Sequence, residues 1–185
     1  MHDRVYNAAV ELFIKQGFDS TTMDGIAGAA DVARATVFNH FPRKTAFLDE
    51  WSSRRRQRAL AAVEAERRET HSLREIFTVY MIELAYMSAS TRKETVALMG
   101  ATIQATNVLS DPPLAGELAA FVSLAQGAGE VRGDLDAQHT GLLAAAGYFT
   151  MLSRWIAADS APFDLQAALL QMVDLLFRGI VAGPT

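Results

Sequence analysis

Apolar residues recur at helical spacing along most of the chain, whereas stretches in which apolar and polar residues alternate, as in strands, are scarce. Near the N-terminus Val5, Ala9 and Phe13 stand four residues apart and therefore fall on one face of a helix. Similar spacing, with Ala, Leu, Glu, Arg and Met abundant, continues to the C-terminus. The sequence predicts an all-α protein, with helices over residues 3–16, 23–30, 34–39, 44–68, 73–87, 92–107, 114–125, 135–158 and 164–181.

The second and third predicted helices are short and are joined by a tight turn. Ser20, Thr21 and Thr22 offer hydroxyls to cap the second helix, and Gly17 stands where a left-handed cap would end the first. Asp31 tolerates the left-handed conformation that the turn between them requires, and Pro42 ends the third helix. Two short helices preceded by a longer one are typical of a helix-turn-helix, whose last helix enters the DNA major groove.

The third helix carries side chains suited to reading DNA. We expect Val37, Phe38 and Phe41 to be buried in a small core. Four polar residues would then remain exposed, namely Arg34, Thr36, Asn39 and His40. Arginine reads guanine, asparagine reads adenine, and threonine or histidine bonds phosphate. By periodicity alone, any trio of short helices in an all-α protein gives the same pattern.

The net charge of -4 is unevenly distributed. Residues 1–58 contain nine Lys and Arg against seven Asp and Glu, a net charge of +2, whereas residues 59–185 contain eight against fourteen, a net charge of -6. A basic segment joined to an acidic one is the electrostatic pattern of a DNA-binding domain attached to a larger body. We interpret the basic run 54–58 as a solvated helix face and not as a direct DNA contact.

Composition excludes several classes of site. The chain has no cysteine, so it has no disulfide, no thiolate nucleophile and no cysteine-bound metal. Catalytic phosphate-loop, zinc-protease and serine-hydrolase motifs are absent from the sequence, and we expect neither an enzyme nor a cofactor nor a metal site. The most apolar stretch, residues 141–152, is too short to cross a membrane, and no secretory signal precedes it. We expect a cytoplasmic protein.

A series of residues in the first quarter of the chain resembles the DNA-binding domain of the TetR (tetracycline-repressor-like) family of transcriptional regulators. The series is Leu12-Phe13, Gly17-Phe18, Thr21-Thr22, Ile26-Ala27, Val32, Thr36-Val37-Phe38, His40-Phe41 and Lys44. The resemblance is dense over about residues 4–50 and extends to the rest only in layout. It implies a DNA-binding domain in residues 1–45 and an all-helical regulatory domain, for ligand binding and dimerisation, in residues 46–185.

The resemblance also implies roles for individual residues. Thr22 would cap the second helix and face a phosphate. Base edges would be approached by Arg34, Ala35 and Asn39, and the DNA backbone would be held by Thr36, His40 and Lys44. The chain departs from the family pattern at four positions, namely Asp31, Ala33, Ala35 and Phe38. Ala33 and Phe38 lack the hydroxyls that usually stand there, so two ordinary backbone anchors are missing.

The last helix is apolar on more than one side and therefore needs to be buried on more than one side. Pairing the last two helices with those of a second copy would form a four-helix interface and give a homodimer that reads two half-sites of a double-stranded operator. The predicted interface residues are Leu142, Phe149, Leu169, Met172, Val173, Leu176, Phe177 and Ile180. The alternative is that this helix lies at the centre of a monomer.

The middle helices combine methionine and aromatic residues with a few polar ones, which suits an adaptable pocket for a small apolar or aromatic effector. The predicted ligand residues are Tyr80, Met81, Met99, Ile103, Asn107, Phe121, Tyr148 and Met151. The same residues suit a plain core equally well. The resemblance implies that a ligand lowers operator affinity and that the protein is a repressor. An all-helical protein-binding adaptor, or a ligand-binding protein without DNA activity, remains the alternative.

Overall fold

The computed structural model describes residues 1–66, 72–105 and 112–180, without the side chains of residues 66, 179 and 180. These residues form nine helices and no β-strand, which confirms the predicted all-α fold. The helices are α1 (His2–Gln16), α2 (Met23–Ala29), α3 (Arg34–His40), α4 (Ala46–Glu66), α5 (Leu73–Ser90), α6 (Arg92–Ala105), α7 (Pro113–Gly127), α8 (Ala137–Ile156) and α9 (Leu165–Ile180).

The helix ends differ from the predicted ones by a few residues. Helix α4 begins at Ala46, two residues after the predicted start at Lys44. Helix α8 begins at Ala137 because the carboxylate of Asp136 accepts the backbone N–H of His139 at 2.9 Å. The predicted helical residues 67–68, 106–107 and 181 lie outside the described part of the chain.

Three loop residues of the described part of the chain adopt positive φ, namely Gly17, Asp31 and Gly129. Asp31 has φ 49°, which confirms the left-handed turn predicted there. Gly17 has φ 85° and ψ 159°, so the left-handed cap predicted at this position is wrong. That combination of angles belongs to a region that essentially only glycine occupies. The Gly17 N–H still bonds the Phe13 carbonyl at 3.0 Å and ends α1.

The chain divides into two compact units, and α4 passes from one to the other between Arg54 and Arg55. Among the described residues, unit 1 contains 1–54 and 91–105, and unit 2 contains 55–66, 72–90 and 112–180. Helix α6 thus belongs to unit 1, although it follows α5 of unit 2. The functional boundary predicted after residue 45 stays a prediction.

The core of unit 1 is aromatic. Phe41 stacks on Phe47 with ring centroids 3.9 Å apart, and Phe13 meets Phe47 edge-on at 5.9 Å. Val37 is fully buried in α3, as predicted. Phe38, predicted to lie in this core, is only half-buried, and the guanidinium of Arg34 lies 5.3 Å from the centroid of its ring. This core fixes α3 through one face and leaves its opposite face in solvent.

Unit 2 depends on close helix packing. A Cβ atom placed on Gly141 of α8 would lie 2.3 Å from the Ala115 carbonyl oxygen and 2.7 Å from the Ala119 nitrogen, both in α7. Glycine therefore allows these two helices to approach backbone to backbone. On another side of the unit, Phe77 of α5 meets Phe177 of α9 edge-on at 5.5 Å.

Candidate nucleic-acid interface

Thr22 opens the helix-turn-helix as an N-cap. Its Oγ1 accepts the backbone N–H of Gly25 at 3.0 Å, so the predicted capping role is confirmed. A hydroxyl group both accepts and donates, and capping uses only a lone pair. The exposed O–H of Thr22 therefore remains available to donate to a phosphate, the role that the resemblance implies.

The turn between α2 and α3 is closed by backbone hydrogen bonds around Asp31. The Asp31 N–H bonds the Gly28 carbonyl at 3.2 Å, and the Val32 N–H bonds the Ala27 carbonyl at 3.0 Å. Helix α3 then starts after Ala33, whose methyl group offers no cap. These bonds set the angle at which α3 leaves the turn.

Helix α3 presents one polar face. Arg34, Ala35, Asn39 and His40 are exposed, and Thr36 is partly exposed. The structure thus places all five of the residues predicted in α3 where a DNA duplex could reach them, while their individual contacts stay predictions. The imidazole of His40 also meets His2 of α1 edge-on at 5.6 Å.

Arg34, the residue predicted to read a base, is engaged by an acidic neighbour. Its Nε lies 3.0 Å from Oδ1 of Asp24 in the first turn of α2. Both side chains are about two-thirds exposed (66% and 63%), so water screens the pair and it contributes little stability. Arg34 can therefore exchange Asp24 for a base edge at small cost.

Lys44 is held more firmly. Its Nζ donates to the carbonyl oxygens of Phe18 at 2.7 Å, Thr21 at 3.0 Å and Asp19 at 3.2 Å. The ammonium also lies 4.5 Å from the centroid of the Phe18 ring. The predicted phosphate contact would therefore compete with three protein acceptors.

Two further basic residues of unit 1 have partners that sequence reasoning did not predict. Arg4 of α1 donates to the carbonyl of Asp31 at 2.8 Å. Arg54 bonds Asp3 and, at 2.7 Å, Glu50. Two of these partners are distant in sequence, because Asp31 is 27 residues from Arg4 and Asp3 is 51 residues from Arg54. The Glu50–Arg54 pair is the exception, since its residues stand at i, i+4 on one helix.

The solvated helix face predicted for residues 54–58 is wrong at Arg55. This guanidinium is buried in unit 2, where it donates to Ser88 Oγ at 2.6 Å and to the Leu84 carbonyl at 3.3 Å. The buried hydroxyl of Tyr148 is hydrogen-bonded to the guanidinium of Arg55. Burial raises the pKa of the Tyr148 phenol above its ordinary value, and the charge of Arg55 opposes that rise.

The predicted ligand residues are not all brought together in one unit. Five of them belong to unit 2, namely Tyr80, Met81, Phe121, Tyr148 and Met151, and of these Tyr80, Met81 and Tyr148 are buried. Unit 1 contains Met99 and Ile103, and Asn107 lies outside the described residues.

The Tyr80 hydroxyl donates to Glu117 at 2.6 Å, and Arg56 donates to the same carboxylate at 2.8 Å. Burial and the Glu117 carboxylate raise the pKa of Tyr80 far above its ordinary value.

The predicted dimer residues fall into two groups. Three of them, Leu169, Val173 and Phe177, are buried within the chain itself. Four others are partly exposed, namely Leu142, Phe149, Met172 and Leu176. The side chain of Ile180 is not described. The predicted interface does not include Leu143 (62% exposed) and Leu175 (73% exposed), the two most exposed leucines of α8 and α9. The sequence held a signal for Leu175, because this residue lies beyond the main apolar face of α9.

In the part of the chain that the structure describes, no three His, Asp or Glu side chains are close enough together to hold a metal ion. None of the helices in that part combines the length and the apolar character needed to cross a membrane.

The N-terminal part of the chain matches a known family. Residues 5–51 match the model of "Bacterial regulatory proteins, tetR family". Over 50 residues the chain is 32% identical to the biofilm operon icaADBC HTH-type negative transcriptional regulator IcaR of Staphylococcus aureus (strain Newman). That match spans 27% of this chain and only 27% of the relative.

Solved structures share the fold over nearly the whole chain. FadR of Thermus thermophilus, a TetR-family transcriptional repressor in complex with lauroyl-CoA, superposes with a TM-score of 0.73 at 25% identity, covering 100% of this chain and 97% of that one. SmeT, the repressor of the Stenotrophomonas maltophilia multidrug efflux pump SmeDEF, has a TM-score of 0.74 at 18% identity, covering 98% and 91%. Residues 5–51 therefore match the tetR family of bacterial regulatory proteins, and the chain as a whole shares the fold of these solved regulators.

Proposed function

We propose that the protein is a transcriptional repressor that binds a palindromic operator as a homodimer and is released by a small ligand. The observation that carries the proposal is the helix-turn-helix of unit 1, in which a buried aromatic core holds α3 and the opposite, polar face of α3 is exposed. A helix held in this way presents Arg34 and Asn39 to the donors and acceptors of the major groove. The protein acts by binding DNA and catalyses no reaction.

A second copy of the chain is the proposed partner. A single helix-turn-helix reads only a few base pairs, and a two-fold dimer doubles the site that is read. The exposed Leu143 and Leu175, with the partly exposed Leu142, Phe149 and Leu176, supply an apolar surface on α8 and α9. Since the inner residues of α9 are already buried within the chain, these outer residues replace them in the proposed interface.

The proposed effector is a small apolar or aromatic molecule that binds among the helices of unit 2. Its aromatic residues Tyr80, Phe121 and Tyr148 support this assignment, as does the lauroyl-CoA bound by the Thermus thermophilus relative. To release DNA, the ligand must bind the conformation that is unable to hold the operator more tightly than the DNA-binding one. Helix α4 belongs to both units and is the proposed link between the ligand and α3.

The DNA-binding claim is tested by selecting fragments of the source genome on the purified protein at low salt and measuring affinity for the recovered DNA by fluorescence anisotropy. We expect an inverted repeat bound by two copies, and a loss of roughly tenfold or more in affinity for Arg34→Ala and for Asn39→Ala. Gln171→Ala, on the exposed side of α9, is the matched control in unit 2. If no fragment is bound at low salt, the adaptor alternative replaces the proposal.

The ligand claim is tested with lauroyl-CoA and free lauric acid added to the protein–DNA complex. Release of the DNA at ligand concentrations that also raise the thermal unfolding temperature of the free protein supports an effector site. Stabilisation without release contradicts the proposed coupling, because the ligand then binds both conformations equally.

A further inference from the structure

We propose that Lys44 is a positioning residue, which fixes the loop that leads into α2 instead of binding a phosphate of the operator. The inference rests on the proposed DNA-binding function and concerns how the DNA-free protein holds α2 and α3 ready. It starts from the three carbonyl oxygens, those of Phe18, Asp19 and Thr21, that surround the Lys44 ammonium.

The loop is folded so that these carbonyls converge. Thr21 is buried, its hydroxyl donates to the Gly17 carbonyl at 2.8 Å, and its N–H bonds the Phe18 carbonyl at 3.2 Å. Gln16, at the end of α1, donates to Thr21 Oγ1 at 3.3 Å. Gly17, with backbone angles that only glycine adopts readily, starts the loop. The chain thus builds a cage of main-chain oxygens between α1 and α2.

Lys44 matches this cage in number and in shape. An ammonium group has three N–H donors, and the cage offers three acceptors. The Phe18 ring lies against the same cation and packs on Phe13 at 5.0 Å, so it ties the cage to the core of unit 1. A phosphate could bind Nζ only by displacing at least one carbonyl, which would then lose the ammonium as a donor in a partly buried site.

Arginine is not equivalent to lysine in this position. Its guanidinium is planar and directs its donors outward in a fork, which suits a phosphate or a carboxylate but not three converging carbonyls. Replacing Lys44 with arginine therefore keeps the positive charge near the DNA and removes the cage contact. This one substitution therefore distinguishes the cage contact of Lys44 from phosphate binding.

The other end of α2 is held in a similar way. Arg4 donates to the carbonyl of Asp31, the residue at the left-handed turn. Helix α2 has seven residues, two of them glycine, and a helix so short is not stable by itself. Two cations, one from α1 and one from the segment before α4, thus bond the main chain just before and just after α2. The positions of α2 and of the attached α3 follow from these two anchors.

The test uses Lys44→Met and Lys44→Arg, with Lys15→Met on the exposed end of α1 as the charge-matched control. Operator affinity is measured at several salt concentrations, and hydrogen exchange of the Thr21 amide is measured in the DNA-free protein. We expect both Lys44 variants to lose roughly tenfold or more in affinity, since charge-assisted hydrogen bonds are lost in each. The slope of log affinity against log salt should stay unchanged, and the Thr21 amide should exchange faster.

The opposite pattern would overturn the inference. If Lys44 binds phosphate, Lys44→Met reduces the salt slope by about one for each subunit, and Lys44→Arg retains the slope and most of the affinity. Unchanged exchange at Thr21 in both Lys44 variants would also refute the cage role. Failure of the wild-type protein to bind any DNA contradicts the proposed function alone, because hydrogen exchange still reports on the cage in that case.

Discussion

Gly141→Ala tests whether the approach of α7 and α8 is as close as the structure shows. The added methyl group would lie 2.3 Å from the Ala115 carbonyl oxygen and 2.7 Å from the Ala119 nitrogen. A carbon atom normally stays about 3.5 Å from its neighbours, so the two helices must move apart by about 1 Å. Both obstacles are main-chain atoms, and no side-chain rotation can relieve the clash.

The expected loss follows from two opposing contributions. Overpacking of this kind costs about 3 kcal/mol where the backbone has to shift. Exchange of glycine for alanine inside a helix returns about 1 kcal/mol. We therefore expect a net loss of about 2 kcal/mol in the free energy of unfolding, which lowers the Tm of a chain of this size by about 4–8 °C.

Gly116→Ala is the matched control, since Gly116 lies on the exposed side of α7 and no atom of the described residues lies within 4 Å of its added Cβ. This change should raise stability by up to about 1 kcal/mol. Urea unfolding followed by circular dichroism at a fixed protein concentration compares the two variants. A Gly141→Ala protein that unfolds at or above the wild-type urea midpoint would show that α7 and α8 are not in backbone contact.

Three further predictions concern charge and assembly. Asp24→Asn releases Arg34 from its ion pair at 3.0 Å and removes a negative charge near the proposed DNA-reading helix. Operator affinity measured by anisotropy should therefore rise about two- to tenfold, and an unchanged affinity would show that the pair does not compete with DNA. The backbone N–H of His139 lowers the pKa of Asp136 below its ordinary value of 3.8, so its stabilising effect is complete above about pH 4 and is lost as the pH falls through the lowered pKa. Asp136→Asn keeps the cap without the titration, and its urea midpoint should fall less steeply with acid than that of the wild type; equal slopes would contradict this cause. Leu175→Arg, at a side chain 73% exposed, should yield a folded monomer in analytical ultracentrifugation, and an intact dimer would place the interface elsewhere.

The sequence predicts those features of the fold that depend on neighbours along the chain. The Thr22 cap lies three residues from the N–H that it accepts, and the left-handed turn at Asp31 follows from a residue type that tolerates it. The nine helices are predicted by apolar spacing within windows of a few turns. Signals of this kind are local.

The features that sequence reasoning missed depend on residues far apart in the chain. Lys44 meets carbonyls 23 to 26 residues away, and main-chain acceptors leave no trace in the identity of a side chain. Arg55 is in the middle of a basic run that suggests solvent, yet its buried partner Ser88 is 33 residues away. Periodicity places both Leu175 and Phe177 beyond the main apolar face of α9, yet Phe177 is buried and Leu175 is exposed, because the helices packed against α9 decide which side is covered.

Most cations of the first 58 residues have partners within the protein, which changes what the positive charge can do. Arg34 is paired with Asp24 at 3.0 Å, Arg43 with Asp49 at 2.9 Å, and Lys44 is enclosed by carbonyls. Non-specific DNA binding depends on cations that exchange freely with the counterions of phosphate, and a cation with an internal partner contributes less to it. The exposed ion pair between Arg34 and Asp24 can open where a guanine offers two acceptors, because a bidentate contact with guanine contributes more free energy than a solvent-screened ion pair. A DNA-binding domain with its cations internally paired therefore favours the correct base sequence over phosphate in general, at the expense of total affinity.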